Sequence, residues 1–511
     1  MRSYRNILSI GLLVASLAYT LCFVFMGFGN HQDPLYWLYK YEHLEGGWMA
    51  VGTLLTGGTL VRLFGAQLLS LRLAAWLCVV AGIALPYVCL LNKDQRRENL
   101  HWLALTFVLM GYGAFQEFSP GTLSVLLLSA LWVTQSPVVL GLAIAARFPN
   151  ILALLVLIPL WKKRSIWNIP IAALTAGVIY LLGYFFVTPA ATDAAMNSHA
   201  WSRMLTMLWM NSGRLAGYML LAVGVLALSK NTSDLQPSNL QPLKPIIVGL
   251  VLALFVAQTM KPHQWYNIDM TYLLSALCLV IALANKSQIT NHKFEIINGV
   301  MLLSIATLGT DTAWLKLFPA VLCLLPVAAT YFAEEGRRYL WIVLAILSGV
   351  VAIRMTTNSI GNNDLTRVQT ISAVTPYRGI LIREAEEHRL LQYKADYDSL
   401  QTISNNLKLQ TSNVLSIGQE SHLMRAVTGC EAARYNEFWS NIFDSVYTDK
   451  YREIIRAERP VVFCSYSPQF KTKPFYKDRE SAFENMLREE GYRELDRAKY
   501  KYMIYIPQDN E

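Results

Sequence analysis

Residues 7–27 read ILSIGLLVASLAYTLCFVFMG, with Arg2 and Arg5 before them and Asn30-His31-Gln32-Asp33-Pro34 shortly after. A helix needs about 20 apolar residues to cross the hydrocarbon core of a bilayer. The run is longer than a secretory h-region and no A-x-A cleavage site follows it, so it reads as a first membrane helix rather than a signal peptide. Comparable runs recur near 68–91, 101–115, 121–134, 137–146, 150–161, 167–187, 213–229, 245–260, 270–285, 296–309, 315–332 and 339–353. Those between 121 and 161 fall short of a full span, which leaves them tilted, merged or partly re-entrant and the total at about 11–13 spans.

Charge says the same and adds direction. The 511 residues are 54% hydrophobic and 15% charged, whereas soluble domains carry about 25% charged residues. That excludes a single soluble enzyme, a disordered chain and a nucleic-acid-binding domain. Residues 1–355 hold 23 Lys+Arg against 13 Asp+Glu, while 356–511 hold 21 against 22. The positive surplus therefore belongs to the apolar part. With the N-terminus inside, alternate loops collect Lys93, Arg96 and Arg97; Lys162, Lys163 and Arg164; Lys230 and Lys244; Lys286 and Lys293; and Arg337 and Arg338. The opposite loops hold mainly Lys40, Arg147, Arg203 and Lys261. Cytoplasmic loops are the basic ones. The expectation is a cytoplasmic (inner) membrane protein with a cytoplasmic N-terminus and an extracytoplasmic, in a bacterium periplasmic, tail.

The tail has its own pattern. Residues 413–417, 460–465 and 500–506 are short β-branched or aromatic runs, and 450–459 and 478–491 between them are helix-like. Residues 364–410 read as mainly helical. The fold class expected is a polytopic α-helical membrane protein over 1–355, with a first outer loop at 28–66, and a small extracytoplasmic α/β domain over 356–511. Cys22, Cys78, Cys89, Cys278 and Cys323 lie in apolar runs and read as small hydrophobes. Cys430 and Cys464 lie in the tail, where spacing leaves a bridge between them open.

Acids are scarce enough to take singly. On the outer side this topology puts Asp33, Glu42, Glu45, Glu117, Asp193, Asp269 and Asp311. Asp33 directly follows the first span, where a carboxylate can meet a lipid headgroup and a water-borne substrate together; the bland alternative is a helix cap before Pro34. Tyr36, Trp37, Tyr39 and Tyr41 follow, as at a membrane interface, and 46–65 reads as a helix lying along the membrane. Glu117, in a short outer turn, is either a partner that orients a base or a sugar hydroxyl, or an exposed turn acid. Lys261, His263, Tyr266 and Asp269 share one outer loop. Its cation and imidazole suit a lipid phosphate, although an interfacial aromatic belt with a snorkelling Lys would look alike. Arg147 is a loop charge or a phosphate ligand at the membrane edge.

There is no P-loop, no G-x-G-x-x-G after a strand, no H-E-x-x-H and no Cys/His cluster with zinc spacing. Any activated group would have to arrive on a carrier. The layout resembles the GT-C class of integral-membrane glycosyltransferases, and within it the dolichyl-phosphate-mannose protein mannosyltransferases and the lipid A aminoarabinose transferase. The resemblance rests on Asp33 in the first outer loop, on Leu63-Phe64-Gly65 through Leu71-Arg72-Leu73, and on Glu117 after the third span. Gly141 to Arg147 and Tyr266 in a late outer loop extend it. Many relatives have two adjacent acids where this chain has Asp33 followed by Pro34.

The resemblance implies a lipid-linked sugar donor and catalytic Asp33 and Glu117. It implies a leaving phosphate met by Lys261, His263 and Arg147, with Tyr266 in the substrate site. It also implies membrane lipids as surroundings and no nucleic-acid partner. The acceptor, whether glycan, lipid or protein, stays open. No cofactor is required, and a divalent cation has no support in the sequence. The rival readings are a polytopic transporter or flippase of lipid-linked saccharides, a polysaccharide polymerase or ligase, and a scaffold whose tail binds a partner.

Overall fold

The computed structural model describes residues 2–27, 32–110, 117–161, 167–189, 290–307, 313–330, 334–357, 370–406, 414–418, 421–428, 445–465, 483–495 and 503–508. The helices among them, numbered in chain order, are α1 (Arg2–Cys22), α2 (Gln32–His43), α3 (Val51–Phe64), α4 (Leu68–Leu90), α5 (Lys93–Leu109), α6 (Pro120–Thr134), α7 (Pro137–Ala146), α8 (Leu154–Trp161) and α9 (Asn168–Phe186). Then come α10 (Thr290–Ser304), α11 (Ala313–Thr330), α12 (Glu334–Thr357), α13 (Glu384–Asn406), α14 (Ser421–Thr428), α15 (Ser445–Glu458) and α16 (483–489).

Three of these are long and apolar enough to cross a membrane: Ile7–Phe25, Leu68–Leu90 and Asn168–Phe186. Nineteen residues of helix reach about 29 Å, close to the roughly 30 Å of a bilayer core. The faces turned away from the body are apolar, with Ile7, Leu8, Val14, Leu174, Val178, Leu181 and Phe185 exposed. Such a surface suits lipid rather than water. The chain is therefore a largely helical, membrane-associated protein. Further apolar helices are shorter: Pro120–Thr134, Pro137–Ala146 and Phe148–Trp161 coincide with the runs that read as too short. α7 stops at Ala146, Arg147 is extended (φ −159°, ψ 114°), and a 3-10 turn over Phe148–Ala153 leads into α8. The Trp161 indole donates to the Gln135 carbonyl at 2.9 Å, so α7 and α8 begin and end at one level. The two helices thus turn back on each other, with the break at Arg147.

Interhelical packing uses small residues and short hydrogen bonds, as membrane helices do. Ser129 Oγ donates to the Gly82 carbonyl (2.6 Å) and joins α6 to α4. A Cβ on Gly141 would lie 2.6 Å from the Ala172 carbonyl, so only glycine lets α7 approach α9 there. The Tyr19 hydroxyl donates to the Ala352 carbonyl at 2.9 Å, pairing the end of α1 with the end of α12.

Short strands tie the loops of that end together. β1 (Glu45–Gly46), after α2, runs parallel to β2 (Thr188–Pro189), after α9. β3 (Thr370–Ile371) and β4 (Leu381–Ile382) form an antiparallel pair just beyond α12. The expectation of helix over 364–410 holds for Glu384–Asn406 and fails at this strand pair.

Beyond it, β5 (Val414–Gly418), β6 (Val461–Ser465), β7 (Tyr492–Glu494) and β8 (Met503–Pro507) make a sheet in the order β5-β6-β8-β7. β5 and β6 are parallel; β6–β8 and β8–β7 are antiparallel. Three of these strands match the expected runs. β7 was not foreseen, because three residues are too few to show an alternation. The sheet has two apolar faces. Leu415, Val462, Cys464, Met503 and Tyr505 pack under α15 and α16. Val414, Val461, Phe463, Ile504 and Ile506 join Leu390, Tyr393, Leu423 and Val427 in a core continuous with the helical body. Cys464 is fully buried in β6; Cys430 lies outside the described residues.

Candidate functional site

One end of the body gathers the segments the sequence assigns to the outer side. Met26 pairs there with Leu381 of the tail, α2 meets the Glu117 turn and α14, β1 pairs with β2, and α3 meets the Arg147 break.

Asp33 lies in the first turn of α2. α2 is pinned by its other end. The Tyr41 hydroxyl donates to the Phe118 carbonyl at 2.6 Å, directly after Glu117, and the two rings pack with centres 6.0 Å apart. Burial holds the Tyr41 phenol well above its ordinary range, and the nearby Glu117 carboxylate adds to the effect. The Glu117 turn is itself ordered. Its carbonyl accepts from Thr122 Oγ1 (3.0 Å), and Ser119 caps α6. So α2 and the Glu117 turn are in contact. Asp33 lies eight residues from Tyr41, about 12 Å along the helix axis, so the contact is at the far end of α2 from Asp33.

The aromatic run on α2 does more than mark an interface. Tyr36 and Tyr41 are buried, and Trp37 stacks on Tyr41 at 5.9 Å. Lys40 is also buried, its ammonium 4.6 Å above the Tyr36 ring centre and 5.8 Å from that of Trp37. Tyr39 points elsewhere. Its hydroxyl donates to Glu45 Oε2 (3.1 Å), and the Arg425 guanidinium of α14 lies 3.2 Å over its ring. The tail thus docks directly on the helix that carries Asp33.

Arg147 is not a solvated loop charge. It is buried, and Nη1 donates to the Ala306 carbonyl at 2.6 Å, joining the hairpin break to the end of α10. Thr53 of α3 donates to the Ala146 carbonyl (2.8 Å), and Asn150 Nδ2 donates to Ala143 O (2.8 Å) and Ser124 Oγ (2.9 Å). The break is therefore a polar knot within an apolar body. Among the other outer acids, Glu42 is exposed; Lys261, His263, Tyr266, Asp193, Asp269 and Asp311 lie outside the described residues. Among the described residues no cluster of three or more His, Cys, Asp or Glu is placed to hold a metal ion.

Sequence reasoning read Tyr41 as interfacial, Lys40 as an outer-loop charge and Arg72 as part of the resembling phrase, without a contact role for any of them, and it did not name Arg425. Compared with protein-family models and with curated proteins, the chain matches none.

Proposed function

We propose that the protein is a membrane glycosyltransferase, moving a sugar from a polyprenyl-phosphate donor to an acceptor on the outer face of the cytoplasmic membrane. The observation that supports it is the docking of the Asp33-bearing helix on the Glu117 turn through Tyr41 and Phe118. That arrangement brings two acid-bearing segments together at one end of an apolar body. There a donor with a long prenyl chain would stay in the bilayer.

In this reading Asp33 takes the proton of the acceptor hydroxyl. The oxygen attacks the anomeric carbon, a new C–O bond forms, and the bond to phosphate oxygen breaks with its electrons on the lipid phosphate. Glu117 binds the acceptor. Lys261, His263 and Tyr266 belong to the donor end of the site, and the cations among them favour the leaving phosphate. Arg147 holds the hairpin break to Ala306, which fits a supporting place better than a solvated one. The tail lies on the side of the membrane where transfer happens.

The test is Asp33→Asn in membranes supplied with polyprenyl-phosphate sugars. Transfer should fall by about 10²–10⁴-fold, the usual worth of a positioned acid or base. Full transfer by a folded variant would sink the assignment. A flippase of lipid-linked saccharides is the second reading, favoured by the helix break and buried cation at Arg147. It requires wild-type vesicles to move such a lipid across the bilayer without making a glycosidic bond.

A further inference from the structure

Arg72 stands in the second turn of α4, is 1% exposed, and is surrounded by an apolar body. Burying a guanidinium is costly unless its donors find strong acceptors. Here Nη1 donates to the Gly27 carbonyl at 3.0 Å and approaches the Met26 carbonyl at 3.4 Å. The same glycine is held from the opposite direction: its N–H donates to the Leu381 carbonyl of β4 at 2.7 Å. Both polar groups of Gly27 are thus engaged, one by residue 72 and one by residue 381. Its backbone has φ +84°, which favours glycine over any L side chain. A third bond, from the Leu68 N–H to the Pro376 carbonyl (3.0 Å), ties the start of α4 to the same tail segment. Arg72, the exit of α1 and β3–β4 form one clasp, six residues before Asp33.

We infer that Arg72 is a positioning residue for Asp33, fixing the exit of α1 from which the acid-bearing segment departs, with the tail strand β4 as its counterpart. The inference rests on the glycosyltransferase reading for its chemical readout and on the clasp alone for its structural one. A single buried side chain bonded to main-chain carbonyls serves this purpose because it sets backbone position without entering the site.

Two measurements test it. The first is hydrogen exchange of the intact wild-type protein in lipid nanodiscs. The Gly27 amide should exchange as slowly as the amides within α4, whereas exchange at the rate of an open loop overturns the clasp. The second is steady-state transfer by Arg72→Gln and Arg72→Lys. Arg72→Gln should lower kcat by about a hundred-fold, as a misplaced reacting group does, with donor KM within about two-fold of wild type. Arg72→Lys should recover part of the loss by keeping a charged donor. A general loss of structure would raise KM and lower kcat together, and wild-type kcat in Arg72→Gln overturns the inference. Where neither variant accumulates folded, the wild-type exchange rate decides. If wild type transfers no sugar at all, the functional reading fails, and the exchange result still stands or falls by itself.

Discussion

Tyr41 shows how one side chain can link two candidate groups. Its hydroxyl gives the Phe118 carbonyl a partner inside an apolar body, and a buried acceptor left unpaired costs about 1–3 kcal/mol. Tyr41→Phe should lower stability by that amount in thermal unfolding in detergent, with transfer reduced as well. An unchanged melting temperature would mean the Glu117 turn is held by other contacts. Glu490 offers a residue-level check in the tail. It accepts two hydrogen bonds from Arg456, both 2.8 Å, and lies 3.4 Å from Arg452. The Arg456 hydrogen bonds hold its carboxyl below the usual range. A depressed carboxylate stabilises the fold above its unfolded value and loses that contribution as pH falls through its folded value. Glu490→Gln should therefore melt slightly below wild type near pH ~7, and the difference should shrink as pH falls through the folded value. Asp33 and Glu117 were legible because acids are scarce in an apolar chain. Tyr41 was not, because nothing local separates a buried tyrosine from an interfacial one.

Among the elements, the α2–α3 pair shapes the site most. A Cβ on Gly57 would collide with the Tyr41 ring and one on Gly58 with the Leu44 side chain, so α3 meets α2 nearly backbone to ring. Gly57→Val should push α2 away, costing about 1–3 kcal/mol as overpacking does and lowering transfer. Retained melting and transfer would show that α2 can shift without consequence. On the tail side, Arg425→Ala removes the cation above Tyr39, an interaction worth about 0.5–2 kcal/mol. Protease sensitivity of α14 should rise if that contact holds the tail down, and should be unchanged if it does not. Most helices up to α9 coincide with apolar runs bounded by Pro, Gly or a charge cluster, but α2 had no such run and α5 starts at Lys93, ahead of the run near 101–115. The β3–β4 pair was not legible. Its strands are two residues each, too short to show an alternation, and Leu381 of β4 also pairs with Met26 and Gly27, some 355 residues away, a contact no local pattern encodes.

At the scale of the molecule, the charge split at residue 355 suggests a two-part division but not its seam. Composition marks where apolar sequence stops. It cannot show that one face of the tail sheet shares a core with the membrane body, since that depends on which side each strand turns. Protease added to spheroplasts should cut the tail if it lies outside; full protection there, with cleavage after lysis, would reverse the topology. The joint at Gly27 also bears on how the protein is made. Its N–H finds its acceptor only at Leu381, so about three quarters of the chain must be synthesised before that bond can form. Long-range closure of this kind comes late in folding. The site would then mature last, after the spans are inserted, and a growing chain in the membrane would remain inactive until its tail arrives.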